Sequence, residues 1–268
     1  MRALMKAGAF LLGLAVVLVA LSYNVLRAQG LEQSGETGSR AMATETRPVD
    51  AGISIIKLSG PIDLKLKQGA TPSMNVRAEQ RFLSKIVTTQ NGNTLQIDIK
   101  GVIINRHRPM VIELTLPALQ ELRVHGSGDA TVSGFSGGNL QLALSGSGDM
   151  KFYGQYQRIT ASLSGSGDLE VDGGNSDDVE LTLAGSGDVT ARGTAKRMTA
   201  KLNGSGDVHA RELHADSVNL SLSGSGDAEI FAKSTVSVAI RGSGEVAIAG
   251  NPAQRNVSKS GSGDVRWE

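Results

Sequence analysis

Residues 140–152 read Leu-Gln-Leu-Ala-Leu-Ser-Gly-Ser-Gly-Asp-Met-Lys-Phe. Apolar residues alternate with polar or small ones up to Leu144, a Gly-Ser-Gly-acid tetrad follows, and the alternation resumes at Met150 and Phe152. Period two on both sides of a glycine-rich break describes two strands meeting at a corner. The same phrase is written eight times. The tetrads end at Asp129, Asp149, Asp168, Asp188, Asp207, Asp227, Glu245 and Asp264, with spacings of 20, 19, 20, 19, 20, 18 and 19 residues. A turn motif recurring at so constant a period is the signature of a solenoid.

The copies align without gaps around the tetrad. Six, four and two residues before its first glycine stand Leu140, Leu142 and Leu144, then Ile159, Ala161 and Leu163 in the next copy. Later copies place Val179, Leu181 and Leu183, then Met198, Ala200 and Leu202, at the same offsets. After the acid, pairs such as Leu169 and Val171, or Val189 and Ala191, continue the same face. Each repeat is therefore strand, corner, strand and a polar connection that absorbs the one-residue differences in length. Stacking such coils puts equivalent residues about 4.8 Å apart and pairs the backbone between neighbours. A β-sandwich would not repeat one corner in one register. The reading is an all-β, single-stranded parallel β-helix with repeats of ~19–20 residues.

The corner composition follows from that stacking. Glycine accepts positive φ and leaves room where stacked backbones crowd together. Serine and aspartate can bond the N–H groups that a sharp corner leaves unpaired. The last copy differs, holding Arg255, Val257 and Lys259 where the others hold aliphatics. Charges in inward slots of a terminal coil block further stacking, and Trp267, the only tryptophan, is expected to lie across the same end.

Upstream, residues 48–118 are β-rich but irregular. Asn91-Gly92 between two alternating runs signals a hairpin. Residues 29–47 are polar and glycine-rich and read as a flexible linker. Residues 1–28 begin with Arg2 and Lys6, followed by an apolar run from Ala7 to Leu21. This is read first as a cleaved signal peptide and second as an uncleaved N-terminal anchor. The remainder, 48–268, is one domain, with the eight repeats occupying 119–268.

Composition narrows the chemistry. Aromatics are 3% of the chain, so the core is built of aliphatics, and a net charge of +1 gives no basic field for nucleic acid. The absence of cysteine excludes disulfides, thiolate metal sites, a cysteine nucleophile and a lipidated N-terminal cysteine. Stacked acids invite comparison with a row of Ca²⁺ sites, but one carboxylate per coil supplies few of the 6–8 oxygens such an ion takes. The acid is read instead as a corner residue repeated because the corner is repeated. Gly-Ser-Gly-Asp lacks the lysine and following helix of a phosphate loop. Eight equivalent serines do not make one nucleophile. His107, His125, His209 and His214 are read as surface residues, and Arg106-His107-Arg108 as a solvated loop tip. Phe152, Tyr153 and Tyr156 are the only aromatic cluster, with the two tyrosines a slender basis for a carbohydrate platform. No catalytic, metal-binding or cofactor-binding residue is assigned.

The tandem corners, with the lead-in Ile112-Glu113-Leu114-Thr115-Leu116-Pro117-Ala118-Leu119, resemble the bacterial family of putative auto-transporter adhesin head GIN domains. The resemblance spans roughly residues 48–268. It implies a right-handed parallel β-helix outside the cytoplasm, in a mostly Gram-negative setting. The expected role is a non-enzymatic, adhesin-like or scaffolding domain of the periplasm, envelope or outer surface. Its expected partner is a surface protein or glycan, with self-association a further candidate. Nucleic acid is not expected, and membrane contact only through an uncleaved N-terminal segment. The alternative is a β-helix that binds or cleaves carbohydrate.

Overall fold

A computed structural model describes residues 39–103 and 107–268, and Ala41–Glu268 form one compact unit. The proposed signal or anchor and most of the linker lie outside the described residues. Among the described residues, seventeen strands join in one continuous sheet. From β9 (Ala130–Gly146) onward, β10 (Met150–Gly165), β11 (Leu169–Gly185), β12 (Val189–Gly204), β13 (Val208–Gly224) and β14 (Ala228–Gly242) pair in parallel, each on the last. The first glycines lie opposite one another, Gly146 on Gly165 and Gly165 on Gly185. The inward slots read from the alternation are filled as expected. Leu142, Ala161, Leu181, Ala200 and Leu220 form one buried row, flanked by rows of equivalent residues.

The connections are more ordered than their sequences suggest. Each long strand runs through its connection and turns there. Ser176, Ala195, Ala215 and Ala232 stack into a further inward row. Small residues in this row do not stand out as apolar alternation. The length differences are indeed absorbed here, where the register slips between Tyr153 and Gly154, Asp172 and Asn175, and Thr190 and Gly193.

The N-terminal part has an out-of-order topology. β2 (Ile55–Ser59) lies between β6 (Thr94–Ile99) and β8 (Glu121–Gly126), and β3 (Ile62–Gln68) lies between β7 (Met110–Leu116) and β9. The first coil in sequence is thus the second in space. The chain leaves it, builds the outer coil from β6 and β7, and crosses back to continue the stack. β4 (Ser73–Glu79) runs antiparallel to β7, and β5 (Ile86–Asn91) antiparallel to β6, forming the hairpin expected at Asn91-Gly92. A single helical turn, α1 (Gln80–Leu83), buries Phe82 at this end.

One boundary needs correction. The linker read over 29–47 does not reach residue 47, because β1 (Met42–Arg47) is a strand paired antiparallel with β4. Its sequence lacks an apolar face. It is held by backbone pairing and by Arg47, whose guanidinium donates to the carbonyls of Ile86 and Leu83 at 2.7 and 2.9 Å. Charged residues on such an edge also discourage another chain from pairing there.

At the opposite end, β16 (Gln254–Gly261) and β17 (Asp264–Trp267) close the stack. Arg255 and Lys259 occupy the slots paired with Val236 and Ile240. The Arg255 guanidinium lies 4.3 Å from the centre of the Trp267 ring, and Lys259 Nζ is 2.7 Å from Asp264 Oδ1. The charged slots and the tryptophan do share this end.

Candidate functional site

The corners carry the acids. The first glycine of each tetrad sits at positive φ, from +120° at Gly261 to +150° at Gly185. From Gly126 to Gly224 its carbonyl accepts the N–H of the next coil's serine, as when Ser147 donates to Gly126 at 3.0 Å, and at Gly242 it accepts from Gly263 instead. A Cβ on the third residue of the tetrad, Gly148 for example, would overlap the Gly128 carbonyl oxygen beneath it. Backbone therefore passes over backbone, and two of the four positions admit only glycine.

The acids form a ladder with its own compensation. The N–H of Asp149 donates to Oδ1 of Asp129 at 3.0 Å, and Asp168, Asp188 and Asp207 repeat the bond at 2.9–3.1 Å. Asp227 and Glu245 continue it at 2.7 Å. Two bare charges 4.8 Å apart repel by ~0.9 kcal/mol in water. A hydrogen bond to a charged group contributes about 1.5–3 kcal/mol, so the ladder is tolerated without an ion. The ladder begins one rung earlier than the tetrads do. Asp129 N–H donates to Asp63 Oδ1 at 3.2 Å, and Gly126 and Gly128 sit over Gly60 and Ile62. Gly60-Pro61-Ile62-Asp63 is thus a degenerate first corner, missed because only its Gly-x-x-Asp frame survives. The ladder stops at Glu245, whose longer side chain turns to Arg266 at 3.0 Å. Lys259 holds the Asp264 carboxyl below the usual range, chiefly through its hydrogen bond.

The other candidates separate. Corner serines such as Ser127, Ser147 and Ser166 are exposed. His125 and His209 are exposed as read, and His214 stacks on Phe231 with ring centres 4.4 Å apart. Arg106 lies outside the described residues. The backbone N–H of His107 donates to buried Glu79 at 3.0 Å. Glu79 also pairs with Arg81 at 2.8 Å, and its carboxyl is held below the usual range, first by the His107 N–H. The tyrosine platform does not form. Tyr156 is only 2% exposed, its hydroxyl donates to the Leu119 carbonyl at 2.7 Å, and burial raises its pKa to about 12. Among the described residues, no three His, Cys, Asp or Glu side chains group closely enough to hold a metal ion, and no helix is long and apolar enough to cross a membrane.

Charge elsewhere alternates between coils. Arg158 and Arg197 flank Asp178 at 3.2 and 2.5 Å. Lys196 meets Asp177 at 2.6 Å, Lys201 meets Glu180 at 3.2 Å, and Arg192 bridges Glu170 and Glu212. These partners lie 19–22 residues apart. The alternation only becomes visible once the coils are stacked.

Depressions interrupt the walls, one of about 380 Å³ beside Lys65, Lys67, Glu113 and Thr131. A groove of about 650 Å³ opens where residues 118–120 pass beneath residues 136–141, with Tyr156, Arg158 and Thr160 above. Gln120, Asn139 and Gln141 line it beside Leu119 and Leu140. A smaller depression of about 210 Å³ adjoins it through Arg158 and Thr160.

The fold is shared with solved bacterial structures. A putative lipid binding protein from Parabacteroides distasonis aligns at a TM-score of 0.80, with 23% identity, over 86% of this chain and 98% of that one. A putative adhesin from Parabacteroides merdae aligns at 0.78, with 19% identity, over 85% and 97%. A putative adhesin from Bacteroides fragilis aligns at 0.63, with 23% identity, over 86% and 98%. No curated protein matches the chain. The stacked Gly-Ser-Gly-acid corners and these shared coils accord with a family profile that matches residues 54–252, and the chain belongs to that family, described as putative auto-transporter adhesin, head GIN domain.

Proposed function

We infer that this chain is an exported, non-catalytic β-helix of the bacterial envelope that presents its long faces to a surface protein or glycan. The observation that carries this reading is the repetition of the walls. Corner acids are bonded alike from coil to coil, and charges outside the corners pair between coils. Catalysis needs unlike groups converging on one reacting atom, whereas equivalent groups at a fixed rise suit extended contact. Membership of an adhesin-like family supports the same role.

The test pairs binding with turnover. Fluorescently labelled full chain is expected to be retained on bacterial envelope fractions and to leave polysaccharides undegraded in a depolymerisation assay. Depolymerisation abolished by changing a single acid would overturn the non-catalytic reading, and absence of retention would overturn the interaction reading.

A further inference from the structure

We propose that the groove bounded by residues 118–120, 136–141 and 158–160 binds a linear, uncharged polysaccharide chain. This gives a ligand class to the interaction domain above and rests on that reading.

At the groove the wall departs from its repeat. Its opening depends on Gly137 and Gly138, and the two glycines have different reasons. A Cβ on Gly137 would come within 2.8 Å of the Tyr156 ring, so packing requires that glycine. A Cβ on Gly138 would meet nothing within 4 Å, and its φ is not positive. The fold does not need a glycine there. In later coils the residue at this step of the wall is Gln157, Asp177 or Lys196, each carrying a long or charged side chain. Only in the first of these coils is the space left empty, and there it is bordered by unlike polar groups.

Those groups indicate the ligand. Asn139 and Gln141 are carboxamides able to donate and accept, Gln120 Oε1 already accepts from Ser54 Oγ at 3.3 Å so that its amide is left to donate, and Thr160 adds a hydroxyl. Mixed donors and acceptors above the nearly closed core surface of Leu119 and Leu140, each 2% exposed, match a molecule with many neutral hydroxyls. They do not match a phosphate, which calls for several uncompensated cations. The one cation here, Arg158, is already bonded to Asp178. In the adjoining depression Arg158 and Arg197 face Asp178 and Glu180, two positive charges against two negative. The continuous surface therefore carries no net charge.

Its direction indicates a polymer. Gln141, Thr160, Glu180 and Thr199 are register partners in successive coils. They form a polar column along the stack with a rise of about 4.8 Å per step. That rise is close to the length of one sugar residue in an extended chain, so successive rings can meet successive rungs.

The test is a printed array of linear neutral oligosaccharides, from glucans, xylans, mannans and chitin, beside uronic-acid polymers. The full chain and two variants are applied, and the strongest hit is quantified by titration calorimetry. Neutral chains of four or more residues are expected to be retained. Gly138→Trp, which fills the groove from a position with free space, and Gln141→Ala should each weaken binding at least tenfold with unchanged unfolding midpoints. Failure of every neutral glycan, preference for uronic-acid polymers, or full affinity in Gly138→Trp would overturn the proposal. Retention on envelope fractions that Gly138→Trp leaves intact would overturn the groove while sparing the interaction domain. Loss of retention by the parent chain as well would overturn both.

Discussion

The backbone N–H of Asp207 donates to Oδ1 of Asp188 at 2.9 Å, one of a series in which the corner acids from Asp63 to Asp227 each serve the coil that follows. The carboxylate replaces the partner that a sharp corner would otherwise deny to a peptide N–H. Asp188→Asn keeps an oxygen in that place and Asp188→Ala does not. The alanine variant should lose about 1–3 kcal/mol and the asparagine variant clearly less, measured by denaturant unfolding. Because one oxygen of each rung is engaged by protein, the midpoint should be the same in EDTA as in millimolar calcium. A calcium-dependent rise would show that the ladder also holds ions.

Gly148 and Gly138 are neighbouring glycines of opposite kind. A Cβ at 148 would overlap the Gly128 carbonyl oxygen, a backbone atom held in place by the stack, whereas one at 138 meets open space. Gly148→Ala should cost at least ~3 kcal/mol or prevent folding. Gly138→Ala should be neutral or slightly stabilising, by up to about 1 kcal/mol, through loss of unfolded-state entropy. Equal effects in thermal melts would contradict the backbone-over-backbone account of the corner.

Most of the repeat architecture was legible because period two and an invariant corner are local properties of a sequence. Leu142, Ala161 and Leu181 declare an inward face without reference to anything distant. Three features were hidden for physical reasons. The order of the first coils is hidden because β3 separates β7 from β9, and no local pattern records which strand lies between which. The connecting wall is hidden because its inward row is Ser176, Ala195 and Ala215, too small to mark a face. β1 is hidden because Thr44, Glu45 and Thr46 are exposed and backbone pairing alone makes them a strand. The candidate groove was the least legible. It arises from what Gly138 lacks, and its lining comes from three coils. Tyr153 and Tyr156 stand close in sequence, but Tyr156 turns inward and supports the groove rather than facing a ligand.

Tyr156 offers a spectroscopic check. Burial raises its pKa from 10.0 to about 12. A raised folded value means that its contribution is fully present below the unfolded pKa and is lost as pH rises from about 10 towards 12. Ultraviolet titration of tyrosinate should resolve a late step, and Tyr156→Phe should remove it. The same variant deprives the Leu119 carbonyl of its 2.7 Å donor and should cost about 1–3 kcal/mol. Absence of a late step would show that the Tyr156 ring is not buried.

The C-terminal coil responds to acid in the opposite sense. The Asp264 carboxyl is held low by its hydrogen bond to Lys259, so this contribution is present above the unfolded pKa and is lost as pH falls through the folded one. Trp267 is the sole tryptophan and lies three residues beyond Asp264 on β17, so its emission reports on this coil alone. Acidification below about pH 4, the ordinary carboxylate range, should red-shift that emission as the coil loosens. Lys259→Met should begin with the shifted spectrum and show a weaker pH dependence.

Lys259 also bears on how the stack ends. It occupies the slot paired with Ile240, and the whole of β16 is exposed, including Val257 at 38%. An open strand edge with an aliphatic inward face is a template for another coil, and a charge in that face makes stacking expensive. Lys259→Val removes the charge and extends the Ile240 row by one aliphatic residue. The variant should self-associate in sedimentation equilibrium at concentrations where the parent sediments as the smaller species. Restoring charge with Lys259→Arg should return it to parental behaviour. If the valine variant sediments as the parent does, the terminal charges are not what stops the stack.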